Sequence, residues 1–477
     1  MTKRFLSGRP LPRRTLLGAA AALTVFPASG LAASLPEETH DVVVVGSGFA
    51  GLAAALEARR AGADVLILEK MPGLGGNSVL SAGDMAVPAS PVQKACGIEG
   101  DSPEVMLADL VHFGGATSMS HARALVANAL ETWELTRERL GVPWNLARIQ
   151  GDWGQSVPRG ITLVTRSGLT IVEAAVELLK RRQTDIRTGH RMERLILDES
   201  TGRAAGVTAT DLSTGQQTRF LARTGVVLAY GGFSADVAFR SALNPLLGRN
   251  VATSNQPGAT SEAWRALIDA GASMLDLKEI QVMGWNSADE RGLGEAWTVI
   301  EYATVPHGNW VRNRTGETLL NGDRSPRFRA DLLLRLCSAG ERVTAVVSDE
   351  GLARAHADAR LIDGLVTRGI IRRYPTWSRL AEGEGIRAAV NDPPGSGGAW
   401  HAVSLVPKVH HCQGGLEIDG RARVRADRGP AKGGVIPGLF AAGECTGGLF
   451  GKARLPSHSV TDALVMGRIA GLEAVKG

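Results

Sequence analysis

Four cysteines in 477 residues leave little room for disulfide or metal architecture. Cys96, Cys337, Cys412 and Cys445 form no C-x-x-C and no C-x-x-C-H, which argues against a zinc ribbon and against an attached c-type haem. An oxidising compartment would permit a disulfide, but the spacing alone does not pair them. Aromatic residues are equally scarce, at 10 Phe, 9 Trp and 3 Tyr, so a place where they gather carries information. Long apolar runs are missing too. Leu16 to Phe26 falls well short of the roughly 20 residues a spanning helix needs, and no second segment is long and apolar enough. Net charge also disappears once the N-terminus is set aside. The chain carries 53 basic and 48 acidic residues, a net +5, yet Lys3, Arg4, Arg9, Arg13 and Arg14 account for that whole excess within the first 33 residues. The remainder is balanced, so a pI near 9.2 gives no reason to expect a nucleic-acid partner.

Residues 1–33 run from a basic head through an apolar stretch to small residues around Ala28 to Ala33, the order of a cleaved export signal. Arg13-Arg14 followed by Thr15-Leu16-Leu17 resembles the twin-arginine signal, which implies export of a folded chain to the periplasm. Glycine is abundant, with 59 residues, as expected where backbone must turn tightly or approach a ligand closely.

The densest signal begins at Asp41. Asp41 to Val45 reads as a buried parallel strand and leads straight into Gly46-Ser47-Gly48-Phe49-Ala50-Gly51. Leu52 to Ala61 reads as a helix, and Asp64 to Leu68 as a second strand that ends at Glu69. This is the complete strand–GxGxxG–helix–strand–acid unit of a dinucleotide site. Gly46 allows the turn, Gly48 lets the backbone approach a pyrophosphate, and Gly51 lets helix and strand pack closely. The helix N-terminus faces the phosphates. Glu69 sits where a carboxylate bonds the adenosine ribose. FAD rather than NAD follows from the glycine-rich stretch after Glu69-Lys70, which holds Gly75, Gly76, Asn77 and Ser78, then Ala82 and Gly83. A second apolar strand, Thr224 to Tyr230, closes on Gly231-Gly232. A third, Pro437 to Ala442, closes on Gly443-Glu444, where Glu444 would bond the ribityl chain.

These motifs, with Asn255 to Thr260, His410-His411-Cys412-Gln413-Gly414-Gly415 and Gly451-Lys452-Ala453-Arg454-Leu455, resemble the fumarate reductase/succinate dehydrogenase flavoprotein superfamily. The resemblance is to the branch of soluble periplasmic fumarate reductases (flavocytochrome c) and urocanate reductases, without the haem domain, over residues ~40 to 477. It implies an α/β fold, a discontinuous Rossmann-like FAD-binding domain with an inserted α+β capping domain. The FAD domain would span 40–278 and 405–477, and the cap 279–404, with Asn391 to Gly398 as a flexible hinge. Leu455, Ser459 and Val460 would complete the cofactor site. FAD would be non-covalent, because no histidine around Gly75 to Ser81 matches the one that carries it in the respiratory-complex branch. With no haem motif, the electron donor would be a separate periplasmic protein such as a c-type cytochrome.

The family's chemistry implies hydride transfer from the flavin to the β-carbon of an α,β-unsaturated acid and a proton from an arginine to the α-carbon. Arg454 matches the carboxylate-binding arginine and His410 the carboxylate-binding histidine, with His411 beside the flavin. The proton donor falls in Asn321 to Arg329. Arg327 aligns when one extra residue is allowed, and Arg324 is its rival. Glu301 matches the relay glutamate, but the relay's second arginine position is Thr304. The sharpest departure is Ile280-Gln281-Val282-Met283-Gly284-Trp285, because the family's I-Q-x-H-P-T carries a histidine where this chain has Met283. Trp285, Trp297, Tyr302 and Trp310 cluster in the same stretch. One carboxylate clamp is therefore expected to be kept and the other replaced by an apolar or aromatic pocket, which points to a monocarboxylate rather than fumarate. Two rivals stay open: a flavin dehydrogenase or oxidase of a ketone or steroid-like substrate, and a non-catalytic flavin electron carrier.

Overall fold

The computed structural model describes residues 35–321, 325–387 and 397–477. The expected export signal, Arg324 and most of the expected hinge lie outside the described residues.

The chain enters through β1 (Glu37–Val45), whose Val42 to Val45 are all buried. It turns into α1 (Phe49–Arg60) and returns as β2 (Val65–Leu68). The turn needs its glycines. Gly46 has φ +103°, and a Cβ there would lie 2.3 Å from the Ala229 carbonyl oxygen; one on Gly51 would lie 2.0 Å from the Gly46 carbonyl oxygen. Two long helices follow, α2 (Met119–Leu140) and α3 (Leu169–Arg181). The first sheet then gains β3 (Asp185–Arg187), β4 (His190–Leu197), β5 (Ala204–Asp211) and β6 (Gln217–Leu228).

A second sheet follows. It contains β7 (Ile280–Ser287), β8 (Asn309–Arg312), β9 (Val343–Ser348), β10 (Arg372–Tyr374) and the 13-residue β11 (Trp400–Cys412), with α4 (Pro326–Ser338) packed against it. β11 organises the sheet. Its first half pairs antiparallel with β9 and β10, and its last residues pair with β7, so that Val282 faces Val409 and Met283 faces Lys408. This sheet also takes in Ala252–Thr253, so it draws on more chain than 279–404. The chain then re-enters the first sheet with β12 (Arg423–Arg425) and β13 (Val435–Ala441), and closes with α5 (His458–Lys476).

The first sheet runs β12-β13-β6-β1-β2-β3, with β4 and β5 extending it beside β6. The β13, β6, β1, β2 and β3 pairings are all parallel, as the apolar runs of those strands lead one to expect. The expected α/β class is therefore observed. α5 lies directly on α1, and the contact depends on small residues: a Cβ on Gly467 would meet the Ala50 carbonyl oxygen at 2.4 Å, and one on Gly471 the Ala54 carbonyl oxygen at 2.1 Å. That contact sets the start of α5 beside the glycine turn. Each sheet has its own apolar core, one around Val42 to Val45 and Val226 to Leu228, the other around Trp310, Leu333 and Val343 to Val347. The cleft opens between the two.

Candidate active site and cofactor cleft

A single cavity of about 430 Å³ runs from the first glycine turn to the second sheet. The cofactor half is a set of strand ends. Gly46, Gly48, Phe49 and Ala50 line it at the start of α1, with Glu69 and Lys70 at the end of β2. The Glu69 carboxylate takes N–H and O–H from Ser47, at 3.1 and 2.7 Å, and the Met71 N–H at 2.8 Å. Lys70 pairs with Glu262 at 3.2 Å. Gly76, Asn77, Ser78, Ala82 and Gly83 form the next part of the wall. There Ser78 accepts the Phe49 N–H at 2.9 Å and so ties the flavin-side loop to the helix start. Gly231 and Gly232 line the cavity after β6, and Gly443 and Glu444 after β13. Ser459 and Val460 line it from α5. Gly51, Gly75 and Leu455 stand behind this surface, and their contribution is packing: a Cβ on Gly75 would lie 2.4 Å from a Val79 methyl, and Leu455 is fully buried.

The residues fit FAD. A Cβ on Gly232 would fall 2.5 Å from a Glu444 oxygen, so only bare backbone fits beside that carboxylate. Glu444 accepts the Cys412 N–H at 3.0 Å, and burial raises its carboxyl above the ordinary value. Tyr230 lines the same cavity, and its hydroxyl is buried with no hydrogen-bond partner among the described residues. All four cysteines are free thiols; Cys412 and Cys445 are buried. Among the described residues no group of His, Cys, Asp and Glu could hold a metal ion.

At the other end, Arg454 and His410 come together. Arg454 donates through Nε to the Gln281 Oε1 at 2.8 Å and through Nη1 to the Ser459 Oγ at 3.1 Å. No carboxylate among the described residues forms a salt bridge with it. Burial pulls its guanidinium down to about 10, so it is still a cation at neutral pH. The His410 Nδ1 lies 2.7 Å from the Ser254 Oγ, and burial, aided by Arg454, depresses its imidazole to about 3. His410 is therefore neutral, with one ring nitrogen occupied and the other free for the cleft. His411 also lines the cavity, edge-on to Phe450 at 5.9 Å.

Arg327 is the one expected catalytic residue that the fold does not bring to the cleft. It is half exposed, faces Glu279 at 3.2 Å and donates to the Lys452 carbonyl. The reason is helical phase. α4 begins at Pro326, and its buried face is Arg329, Ala330, Leu333 and Leu334, so Arg327 points the other way. Arg329 is the arginine that turns inward. It is 2% exposed, stacks its guanidinium over Trp285 at 4.9 Å and Trp310 at 5.8 Å, and holds Glu301 with two N–H bonds. Glu301 does line the cleft. Thr304 is fully buried and accepts the Trp310 indole N–H at 3.2 Å. Sequence reasoning missed Arg329, although its place in the Arg329–Ala330–Leu333–Leu334 stripe was a legible signal.

Met283, Trp285, Trp297 and Tyr302 all line the cleft, with Leu293 beside them. Trp310 does not; it belongs to the core of the second sheet. Opposite them stands a wall that sequence reasoning passed over. The strands Trp144–Gln150 and Gly160–Leu163 pair antiparallel and present Asp152 and Trp153 on the loop between them. Arg159, fully buried on Asp101 and Asp109, anchors that loop. Ser457 donates to Asp152 at 2.9 Å. The pattern Gly151-Asp152-Trp153-Gly154 marks this loop in the sequence.

The buried histidines predict an acid-sensitive fold. His410 and His458 are held near 3 and 4, below the ordinary 6.5, so the folded protein keeps them neutral while the unfolded chain takes up protons below 6.5. Stability is then lost as pH falls from 6.5 toward 4. Asp84, raised to about 6 by burial, works the opposite way over a smaller range. Calorimetry at pH 5 should therefore give a melting temperature several degrees below that at pH 7.5, on the order expected for a chain of this size. An unchanged value would mean that these rings are solvated.

Compared with known proteins, the FAD binding domain family matches residues 41–460. The chain is 31% identical over 463 residues to the acrylate reductase flavoprotein subunit of Shewanella woodyi, covering 90% of each. It is 32% identical over 479 residues to the urocanate reductase of Eggerthella lenta, covering 91% of this chain and 74% of that one. Among solved structures, the open conformation of a flavocytochrome c3 fumarate reductase superposes with a TM-score of 0.78 at 25% identity, over 99% of this chain and 82% of that one.

Proposed function

Since this chain belongs to the FAD binding domain family, within the fumarate reductase/succinate dehydrogenase flavoprotein superfamily, and is an FAD-dependent oxidoreductase acting on CH–CH bonds, we propose that it reduces the C=C bond of an α,β-unsaturated monocarboxylate with an apolar or aromatic tail. The observation that carries this reading is Arg454, a cation at the cleft floor whose hydrogen-bond partners are a neutral amide and a neutral hydroxyl. A buried cation that no carboxylate among the described residues touches directly favours an anionic ligand, and the guanidinium fork suits a carboxylate. His410 completes the clamp: its Nδ1 is engaged by the Ser254 Oγ at 2.7 Å, which leaves its Nε2 for the second carboxylate oxygen. Bound FAD supplies the hydride. Drawing the substrate's charge toward Arg454 and His410 polarises the double bond for that transfer.

The rest of the substrate would meet Met283, Trp285, Trp297, Trp153 and Leu293. None of these pairs with an anion, and burying a second carboxylate against them would cost several kcal/mol. Acrylate-like and arylacrylate-like acids suit this wall better than fumarate. The same proposal takes residues 1–33 as a twin-arginine export signal to the periplasm and a separate c-type cytochrome as electron donor. Among the described residues, no helix is long and apolar enough to cross a membrane.

The test is a dye-linked assay with the FAD-loaded protein: viologen reduced by dithionite, then acrylate, methacrylate, cinnamate, urocanate or fumarate. Monocarboxylates are expected to exceed fumarate at least about tenfold in kcat/KM, the minimum that an unpaired buried carboxylate implies. Equal rates on fumarate would remove the one-clamp reading. No turnover on any of them, with desaturation of a ketone in the reverse assay, would make the protein a dehydrogenase.

A further inference from the structure

A second cleft lies outside the site described above. It is a groove of about 60 Å³ between α1, α2, α3 and α5. Its two long walls are helix stripes. Phe49, Leu52, Leu56 and Arg60 face it from α1. Ile171, Ala175 and Leu178 face it from α3, and Arg182 follows at that helix's end. The spacing in both stripes is that of one helix face. At helical rise each stripe is about 16 Å long. The two helices are tied at the arginine end, where Arg59 Nη2 donates to the Arg182 carbonyl at 2.6 Å. Phe49, Leu52, Ile171 and Ala175 are buried, whereas Leu56 and Leu178 are half-buried, so the groove opens toward its arginines.

Charge says what belongs there. Arg60, Arg139, Arg182 and Arg468 line the groove against a single carboxylate, Glu57. Glu57 is buried and already shared by three of them, Arg60 at 2.6 Å, Arg468 at 3.3 Å and Arg139 at 3.4 Å. Arg468 has Glu131 as a second partner at 3.1 Å. Arg182 is half-buried and forms no salt bridge among the described residues. The mouth therefore carries surplus positive charge beside an apolar trough, the complement of an anion with an alkyl tail. Two other occupants fit less well. The chain's own apolar segment, Leu16 to Phe26, follows five basic residues and no acidic one, the wrong sign for this rim. An electron-donating protein seated on the arginines would stand a helix length, about 16 Å, from Phe49 at the cofactor cleft.

We propose that this groove binds a medium-chain alkyl carboxylate, and that its occupant steadies the cofactor site through Phe49. The site is separate from the enoate cleft and does not depend on that reading. The carboxylate sits at Arg60 and Arg182, and the chain runs between α1 and α3 toward Phe49. Volume sets the length: about 60 Å³ admits roughly four to six water-sized groups. A methylene is of that size, so hexanoate to octanoate fills the groove and a longer tail protrudes. Phe49 is the wall that the groove shares with the cofactor cleft. Its N–H donates to the Ser78 Oγ at 2.9 Å, and a Cβ on Gly168 would lie 2.9 Å from its ring. The ring is thus wedged between the glycine turn and the start of α3. An alkyl chain packed on its other side restrains it, and with it the Ser78 loop that lines the cofactor half.

The experiment is calorimetric titration of the FAD-loaded protein with butanoate, hexanoate and octanoate. Affinity should rise about fourfold with each added methylene, the usual gain for burying one. These probes are carboxylates and could also enter the enoate cleft, so the titration is repeated in Arg454→Gln, where octanoate binding should persist. The double variant Arg60→Gln, Arg182→Gln should bind octanoate about tenfold more weakly or worse, the usual size of a lost charge-assisted hydrogen bond, with an unaltered flavin spectrum. Leu178→Gln, at a half-buried position, should weaken octanoate more than butanoate. Saturating octanoate should slow FAD release severalfold in the wild type and not in the double variant, as followed by flavin fluorescence. Octanoate binding that survives in the double variant but vanishes in Arg454→Gln places the probe in the enoate cleft and overturns the site. Equal affinities along the series overturn it too, as does the absence of saturable binding at millimolar octanoate. Sedimentation with phosphatidylglycerol vesicles in place of octanoate binding would make this face a membrane contact instead. An unchanged rate of FAD release overturns the coupling through Phe49.

Discussion

Arg454→Gln is expected to lower kcat/KM for an enoate by about a thousandfold while FAD stays bound. The side chain sits between two neutral partners, Gln281 at 2.8 Å and Ser459 at 3.1 Å, and it is the cation of the proposed clamp. Glutamine can keep some of those hydrogen bonds but cannot neutralise a carboxylate. Removing one partner of a desolvated charge pair typically costs about 3–5 kcal/mol, which is roughly two to three and a half powers of ten. The loss should appear in KM and in kcat together, because the same guanidinium both holds the acid and polarises its double bond. FAD content should be unaffected, since the glycine turn, Glu69 and Glu444 are untouched. Steady-state kinetics on the viologen assay, with the flavin spectrum as control, check both halves. A loss confined to KM at low substrate would reduce Arg454 to a binding residue, and full activity would move the clamp elsewhere.

Met283→His is expected to work in the opposite direction, as a gain. Met283 is 4% exposed, lines the cleft and is followed two residues later by Trp285 on β7. An imidazole of similar reach would offer an N–H to a second carboxylate where the thioether offers nothing. If the anion of fumarate is disfavoured in the wild type by several kcal/mol of unpaired burial, supplying one charge-assisted partner should return part of it. The ratio of kcat/KM for fumarate to that for methacrylate should therefore rise by about two orders of magnitude, mostly through fumarate. Competition kinetics with both acids measure this ratio directly. An unchanged ratio, in a variant that still reduces methacrylate, would mean that the tail of the substrate does not lie along β7.

The cofactor half of this protein was largely legible in the chain itself. Gly46, Gly51, Glu69, Gly232 and Glu444 stand where their neighbours in sequence said they would, because a tight turn, a close helix contact and a strand end are set by sterics within a few residues. The resemblance picked out His410 and Arg454, and the structure brings both to one cleft. Met283 and Trp285 were legible as residue types, since apolar side chains where a histidine is expected change the chemistry wherever they point.

The far wall was a different matter. Arg327 and Arg329 are two residues apart, and about 200° of helix separates the directions they face. Only the packing of α4 on the second sheet decides that Arg329 enters and Arg327 leaves. Trp310, counted with the pocket aromatics from its position in the chain, is claimed by the core instead. Asp152 and Trp153 meet Trp297 and Tyr302 across a cleft although roughly 150 residues of chain separate them, and no local pattern encodes that meeting. Thus the sequence by itself determined the cofactor and the α/β frame, because short-range backbone geometry dictates the glycine turn and the strand ends. The tertiary structure alone decided which side chains share the cleft with them, because that depends on the phase of a helix and on how two separately cored sheets dock.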